Sequence, residues 1–151
     1  MKFKLNILML VLLIFSSCIS TKLTIKNIDE NAPNLTLLPN NTFEISGFSK
    51  DAKYGYDKDY PINLFFQNLD SETVNFERFL NALAGPNGEK LRYKKLENCC
   101  PFPTKRTEMG AGMLDVYEIT WNESEKSKII YLNRFEKSIL MVPVGLSLNK
   151  N

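Results

Sequence analysis

Hydrophobic and polar positions change their spacing several times along the chain, and each change marks a predicted element. Within residues 42–48, Phe43 and Ile45 alternate with Thr42, Glu44 and Ser46, the period-two pattern of a half-buried strand. Tyr60, Ile62, Leu64 and Phe66 alternate again, with Pro61 at the start of the run, where a proline removes no interior ladder bond. The interval then lengthens. Phe76, Phe79, Leu80, Leu83 and Ala84 recur three and four residues apart, which puts one apolar stripe along a helix. Asp70 or Ser71 is placed to cap that helix, Glu72 falls in its first turn, and Gly85-Pro86 stops it. Pro86-Asn87-Gly88 then turns the chain back.

The second half reads as strands alone. Leu91 and Tyr93 alternate until Lys94-Lys95 breaks the register, as a bulge would. Residues 113–121 are rich in Val, Tyr, Ile and Trp, 122–127 form a polar turn, and 128–135 make the next strand. After a turn at 136–138, residues 139–146 close the domain, with Pro143 assigning them to an edge. Short turns between successive strands favour an antiparallel meander, because parallel neighbours need long crossovers. The predicted architecture is α+β, one helix packed on a five- or six-stranded antiparallel sheet, over residues 42–151 as a single domain.

The start of the chain follows another logic. Lys2 and Lys4 precede an apolar run at 5–15 interrupted only by Asn6, and the small residues Ser16 and Ser17 follow. A charged start, a short apolar middle and small residues at the cut describe an export signal. Eleven positions are too few to span a bilayer, which takes ~20. Cys18 resembles the cysteine of a bacterial lipobox, which receives lipid and becomes the first mature residue, although Phe15 stands where leucine is usual. The predicted organisation is therefore a signal peptide at 1–17 and a lipidated cysteine with its tether at 18–41, where Pro33 and Pro39 interrupt regular structure. Acyl chains contribute ~0.8 kcal/mol per buried methylene, so several of them hold a protein to the membrane without a helix. Ile19, Ser20, Thr21 and Lys22 carry no acid, which points to an outer-membrane anchor facing the periplasm.

Composition narrows the function classes. The chain has 19 basic and 17 acidic residues, and loss of Lys2 and Lys4 with the leader brings the balance to zero. A neutral domain lacks the clustered positive charge that displaces counterions from nucleic acid, so no nucleic-acid partner is expected. The absence of histidine excludes Ser-His and Cys-His nucleophilic catalysis and His-ligated zinc. No metal or other cofactor is implied.

The candidate chemistry is concentrated in two loops. In Asn98-Cys99-Cys100-Pro101-Phe102-Pro103, Cys99 and Cys100 are the two thiols besides Cys18. Paired cysteines outside the cytoplasm are normally oxidised. Adjacent Cα atoms lie ~3.8 Å apart, below the usual ~4.4–6.8 Å for a disulfide, so a bridge here would be strained and reducible. Lys105 and Arg106 follow closely and could lower a thiol pKa. The pair is read three ways: as a structural element, as a binding loop, or as a redox centre. Two sulfurs without histidine leave a tetrahedral metal site half built. The glycines of 104–112 read as loop flexibility, because the run precedes a strand and no Gly-Lys-Ser/Thr follows. Tyr54, Tyr56 and Tyr60 around Gly55 make either an aromatic binding rim or packing over the helix. Asp115 alternates in phase with Met113, Tyr117, Ile119 and Trp121, and Glu118 with Leu114 and Val116. Each carboxylate is a candidate acid or base if its face is covered, and an ordinary surface group if the face is solvated.

Tyr54-Gly-Tyr56, Phe79-Leu-Asn-Ala-Leu-Ala-Gly-Pro-Asn-Gly88, Cys99-Cys-Pro-Phe-Pro-Thr104 and Leu140-Met-Val-Pro-Val-Gly145 are similar to strings in a family of small Bacteroidota lipoproteins. The resemblance covers about residues 42–146. It implies an envelope lipoprotein and carries no functional residue, since the family has no established activity. Some members bear the label 2-dehydro-3-deoxyphosphooctonate aldolase. That chemistry resembles a (β/α)₈ barrel of ~250 residues, which a chain this short with one helix cannot build. The expectation is a non-enzymatic envelope lipoprotein that binds a protein or glycan partner. The alternative is an envelope enzyme that uses Cys99-Cys100 in thiol redox chemistry or carboxylates on a sugar substrate. A structural accessory of the envelope is the third class.

Overall fold

The structure, a computed structural model, describes residues 24–65, 72–121 and 127–150. The signal segment, Cys18, Phe66, the capping positions Asp70 and Ser71, and most of the 122–127 turn lie outside the described residues. In chain order the elements are β1 (Ile62–Asn63), α1 (Glu72–Ala82), β2 (Leu83–Ala84), β3 (Leu91–Pro103), β4 (Ala111–Trp121), β5 (Ser127–Asn133) and β6 (Ser147–Leu148).

The fold is α+β, as predicted, but its sheet differs from the one expected. A four-stranded sheet runs β1-β5-β4-β3, and β2 pairs with β6 in a separate two-stranded ladder. Strands β3, β4 and β5 form the antiparallel meander. At its edge β1 lies parallel to β5, with Ile62 opposite Leu132, so the sheet is mixed. The parallel pair is allowed because α1 and three further strands intervene between β1 and β5, ample chain for a crossover.

The two segments expected as outer strands pair only briefly. Residues 42–48 contribute single bridges, Leu37 to Phe43 and Phe48 to Val142, and 139–146 contribute the other half of the second. The period-two pattern at 42–48 reports burial correctly. Phe43 is fully buried and Ile45 packs against the core. Strand assignment also needs a continuous partner, and here the backbone bonds go separately to Thr36, Leu140 and Val142.

The segment 24–41, expected as tether, belongs to the domain instead. Ile25 and Ala32 are buried, Lys26 N–H donates to the Asp59 carbonyl at 2.8 Å, and Asp29 N–H to the Lys137 carbonyl at 2.8 Å. The prolines exclude regular structure there but not packing.

Helix α1 covers one face of the sheet through the predicted stripe. Phe76, Phe79 and Leu80 are fully buried and meet Tyr117, Ile119, Ile130 and Leu132 in the main core. Each such side chain contributes ~1.5–3 kcal/mol relative to exposure. The ring of Phe76 meets Tyr117 edge-on at 5.9 Å. The stripe continues past the helix: Leu83 and Ala84 are buried as β2, because Asn149 caps α1 by donating its backbone N–H to the Ala82 carbonyl and its side chain to that of Asn81. The opposite face of the sheet carries a smaller core of Ile25, Phe102 and Leu114, flanked by Tyr131 and Phe135.

Candidate functional site

Strand β3 runs straight through the cysteine motif and carries two irregularities. The first, at Lys95–Glu97, is the bulge expected from the Lys94-Lys95 break. The second lies at the motif itself. Cys99 pairs with Leu114 and Phe102 with Gly112, so Cys100 and Pro101 stand against Met113 alone. A bulge is where a strand tolerates proline, which has no N–H for the ladder. Cys100 takes φ +58°, in the left-handed region that costs a β-carbon-bearing residue ~1–2 kcal/mol. Cys99 and Cys100 are joined in a vicinal disulfide with Cα atoms 3.7 Å apart. Cys100, Pro101, Leu114, Ile25, Lys58 and Asp59 line a groove of about 250 Å³ with Thr24.

Beyond Pro103 the chain makes a hairpin loop, residues 104–110, that is held by its own polar groups. Thr104 N–H donates to the Gly110 carbonyl at 3.1 Å, and Arg106 N–H to Thr104 Oγ1 at 3.2 Å. Thr107 Oγ1 donates to the Ala111 carbonyl at 2.8 Å and accepts from Ala111 N–H at 3.1 Å. The glycines therefore do more than loosen the loop. Gly110 takes φ +68° to close the turn, and Gly112 leaves room for the rings of Phe102 and Phe135.

This loop forms one wall of an open cleft of about 820 Å³, whose other wall comes from Ile28, Glu30 and Glu136. Glu136 is buried, and Thr104 Oγ1 donates to its Oε1 at 2.6 Å. Arg106 lies between three neighbours. Its guanidinium stacks over the Phe65 ring at 4.1 Å, its Nε lies 3.6 Å from Glu136 Oε2, and its Nη2 donates to the exposed carboxylate of Glu30. A planar guanidinium stacked on an aromatic face and backed by a carboxylate is held in one orientation. Lys105 is exposed at the cleft wall, and Met109 at the loop tip is 88% exposed.

The structure thus separates residues that the sequence placed together. Lys105 and Arg106 line the cleft, whereas the disulfide lines a different groove, and Arg106 pairs with carboxylates instead of a thiol. Glu30, Phe65, Thr104 and Glu136 carry no mark of the cleft in the sequence. They come from four separate stretches, and Glu136 reads locally as a polar turn residue; no local spacing carries such a signal.

The three tyrosines go separate ways. Tyr54 is buried in the main core, where its hydroxyl accepts from Met141 N–H at 3.1 Å and burial pushes its pKa well above the usual range. Tyr56 is half-buried, donates to the Val144 carbonyl at 3.0 Å, and lies under the Lys128 ammonium at 4.4 Å. Burial pushes its pKa up to about 12. Tyr60 holds Lys26 and Lys53 over its ring at 5.6 and 5.4 Å.

Asp115 is fully buried on the helix side of β4. Its Oδ2 accepts from Arg134 Nη2 at 2.8 Å and its Oδ1 from Asn98 Nδ2 at 3.1 Å, while Lys95 pairs with the same carboxylate. Burial lowers the Arg134 pKa from its ordinary value. Tyr117, two residues on along the same face, is pushed up to about 12, chiefly by burial and further by the Asp115 charge. Such an arrangement holds Asp115 as a structural anion. Among the described residues no group of three His, Cys, Asp or Glu side chains is placed to hold a metal ion.

No protein-family model matches the chain, and neither a curated protein nor a solved structure matches it.

Proposed function

We propose that the protein is an envelope lipoprotein, anchored by lipid on Cys18 at the outer membrane, whose α+β domain binds a protein or glycan partner through the cleft at the β3–β4 hairpin. The observation that carries this reading is the cleft itself. It is open, about 820 Å³, and brings Glu30, Arg106 and Glu136 together from distant parts of the chain. Sites that take small ligands or a partner's side chain are concave and mostly apolar, with a few fixed polar groups. The leader pattern and the resemblance to small lipoproteins support the anchor. The close packing of residues 24–41 leaves only 19–23 between lipid and domain, at most ~18 Å of extended chain. That tether would hold the binding face close to the membrane.

Fractionation and crosslinking test the two halves of the proposal. Wild-type protein is expected in the membrane fraction and a Cys18→Ser variant in the soluble envelope fraction. Crosslinking from the cleft through a photoreactive residue at Lys105 is expected to capture a partner or glycan from envelope extracts. Recovery of the protein alone in repeated trials, or unchanged fractionation of the Cys18→Ser variant, argues against the corresponding half.

The vicinal disulfide favours one second reading, a thiol-redox role for Cys99 and Cys100. Under that reading Cys99→Ala and Cys100→Ala abolish function with the fold intact. A purely structural bridge predicts lower thermal stability instead.

A further inference from the structure

We infer that the cleft is a carboxylate-binding site for an acidic sugar, and that Glu30 occupies the ligand position in the free protein. The inference rests on the proposed binding role of the cleft and specifies its ligand. Arg106 is prepared for a planar anion before any ligand arrives: its guanidinium stacks on Phe65 at 4.1 Å, and the buried Glu136 carboxylate lies 3.6 Å from its Nε, an ion pair without a hydrogen bond. The remaining Nη edge faces the cleft, and the group it meets there is the Glu30 carboxylate. The two carboxylates differ in kind. Glu136 is 6% exposed and tied to Thr104, whereas Glu30 is 61% exposed and is held by its pair with Arg106.

An ion pair with so exposed a carboxylate contributes little, so a ligand carboxylate can displace Glu30 without disturbing the fold. With Glu30 swung into solvent, Arg106 and the exposed Lys105 outnumber Glu136, and the cleft becomes net positive. A guanidinium fork offers two parallel N–H donors to one carboxylate, geometry that a neutral ligand does not use. The rest of the cleft suits a sugar ring better than a peptide. The Glu136 carboxylate on the cleft wall can only accept, and it matches hydroxyl donors, in which sugars are rich. Ile28 and Pro103 present apolar surface for the C–H face of a pyranose.

Titration of the intact domain with a hyaluronan tetrasaccharide, which bears glucuronate, tests this by calorimetry or NMR shift mapping. The carboxyl-reduced tetrasaccharide and an acidic peptide serve as the comparison ligands. Wild-type protein should bind the uronate sugar and not its reduced form. Glu30→Gln should bind it roughly two- to fivefold more tightly, the release of one exposed pair. Arg106→Gln should lose binding, and Arg106→Lys, which keeps the charge without the fork, should lose most of it; far-ultraviolet circular dichroism checks that each variant is folded. If Arg106→Gln unfolds, Arg106→Lys and Glu30→Gln decide the matter. Equal affinity for the reduced sugar, preference for the acidic peptide, or no gain in Glu30→Gln would each overturn the inference. Capture of a partner at Lys105 that is indifferent to Glu30→Gln leaves the binding role standing and removes only the acidic-sugar assignment.

Discussion

Arg134, one residue past the end of β5, reaches across to β4 and donates to a fully buried oxygen of Asp115 at 2.8 Å. The carboxylate has no access to water, and Lys95 and Asn98 on β3 complete its coordination. One charge therefore ties three neighbouring strands or their ends together. Because the desolvation cost of such a group is met only while its partners are present, losing the anion should cost more than the pair contributes.

Asp115→Asn should accordingly lower stability by about 3–5 kcal/mol, since it leaves the Arg134 guanidinium facing a neutral amide. In a thermal melt that is a fall of roughly 10 °C or more. A double variant, Asp115→Leu with Arg134→Met, should lie closer to wild type than Asp115→Asn does. Equal losses in the two would mean that the charges contribute no more than packing.

At the bulge, Cys100 takes a left-handed conformation that glycine adopts without cost. With the bridge removed in a Cys99→Ala background, Cys100→Gly should be more stable than Cys100→Ala by about 1 kcal/mol in urea unfolding. Equal stabilities would show that the bulge relaxes once the bridge is gone, and that the disulfide itself imposes the conformation.

Gly112 has ordinary backbone angles, so its role is one of space. A β-carbon there would stand 2.7 Å from Phe135 and 2.9 Å from Phe102. Those rings meet edge-on at 6.0 Å beside the cleft loop. Gly112→Ala should cost about 1–3 kcal/mol by overpacking and shift the ring resonances of both phenylalanines. A stability within experimental error of wild type would mean that the rings can separate freely.

Alkaline stability follows from the tyrosines. Tyr117 and Tyr56 are held neutral by burial, with pKa values raised from 10.0 to about 12. Below pH 10 both folded and unfolded chains keep these protons, and stability is unaffected. Above pH 10 the unfolded chain ionises first and binds fewer protons, so stability falls progressively toward pH 12. The midpoint of urea unfolding should drop over that window, and Tyr117→Phe should make the drop shallower. An unchanged slope in Tyr117→Phe would assign the effect to other groups.

Much of this molecule was legible from one-dimensional pattern. The stripe Phe76, Phe79, Leu80, Leu83 and Ala84 is buried in full, the 113–121 and 128–135 runs are the central strands, and the Lys94-Lys95 break marks a bulge. These features follow from local periodicity, because which side of a helix or strand faces the core is written in the spacing of its apolar residues. The vicinity of Cys99 to Cys100, and hence the vicinal bridge, is likewise a property of adjacent positions.

What tertiary structure alone decided is partnership. Residues 42–48 and 139–146 carry strand patterns but find single bridges, and β1 finds a parallel partner some seventy residues away, where the meander rule expected an antiparallel one. Tyr54 enters the core and Tyr60 stays near the surface under two lysines, although their local sequences are alike in character. Arg106 stands close to the thiols in sequence, but the fold gives it Glu30, Phe65 and Glu136 instead. Each of these contacts joins segments that are distant along the chain, and which distant groups meet depends on how all the buried faces pack at once. Periodicity specifies the faces; only the packed fold brings together the residues of the cleft.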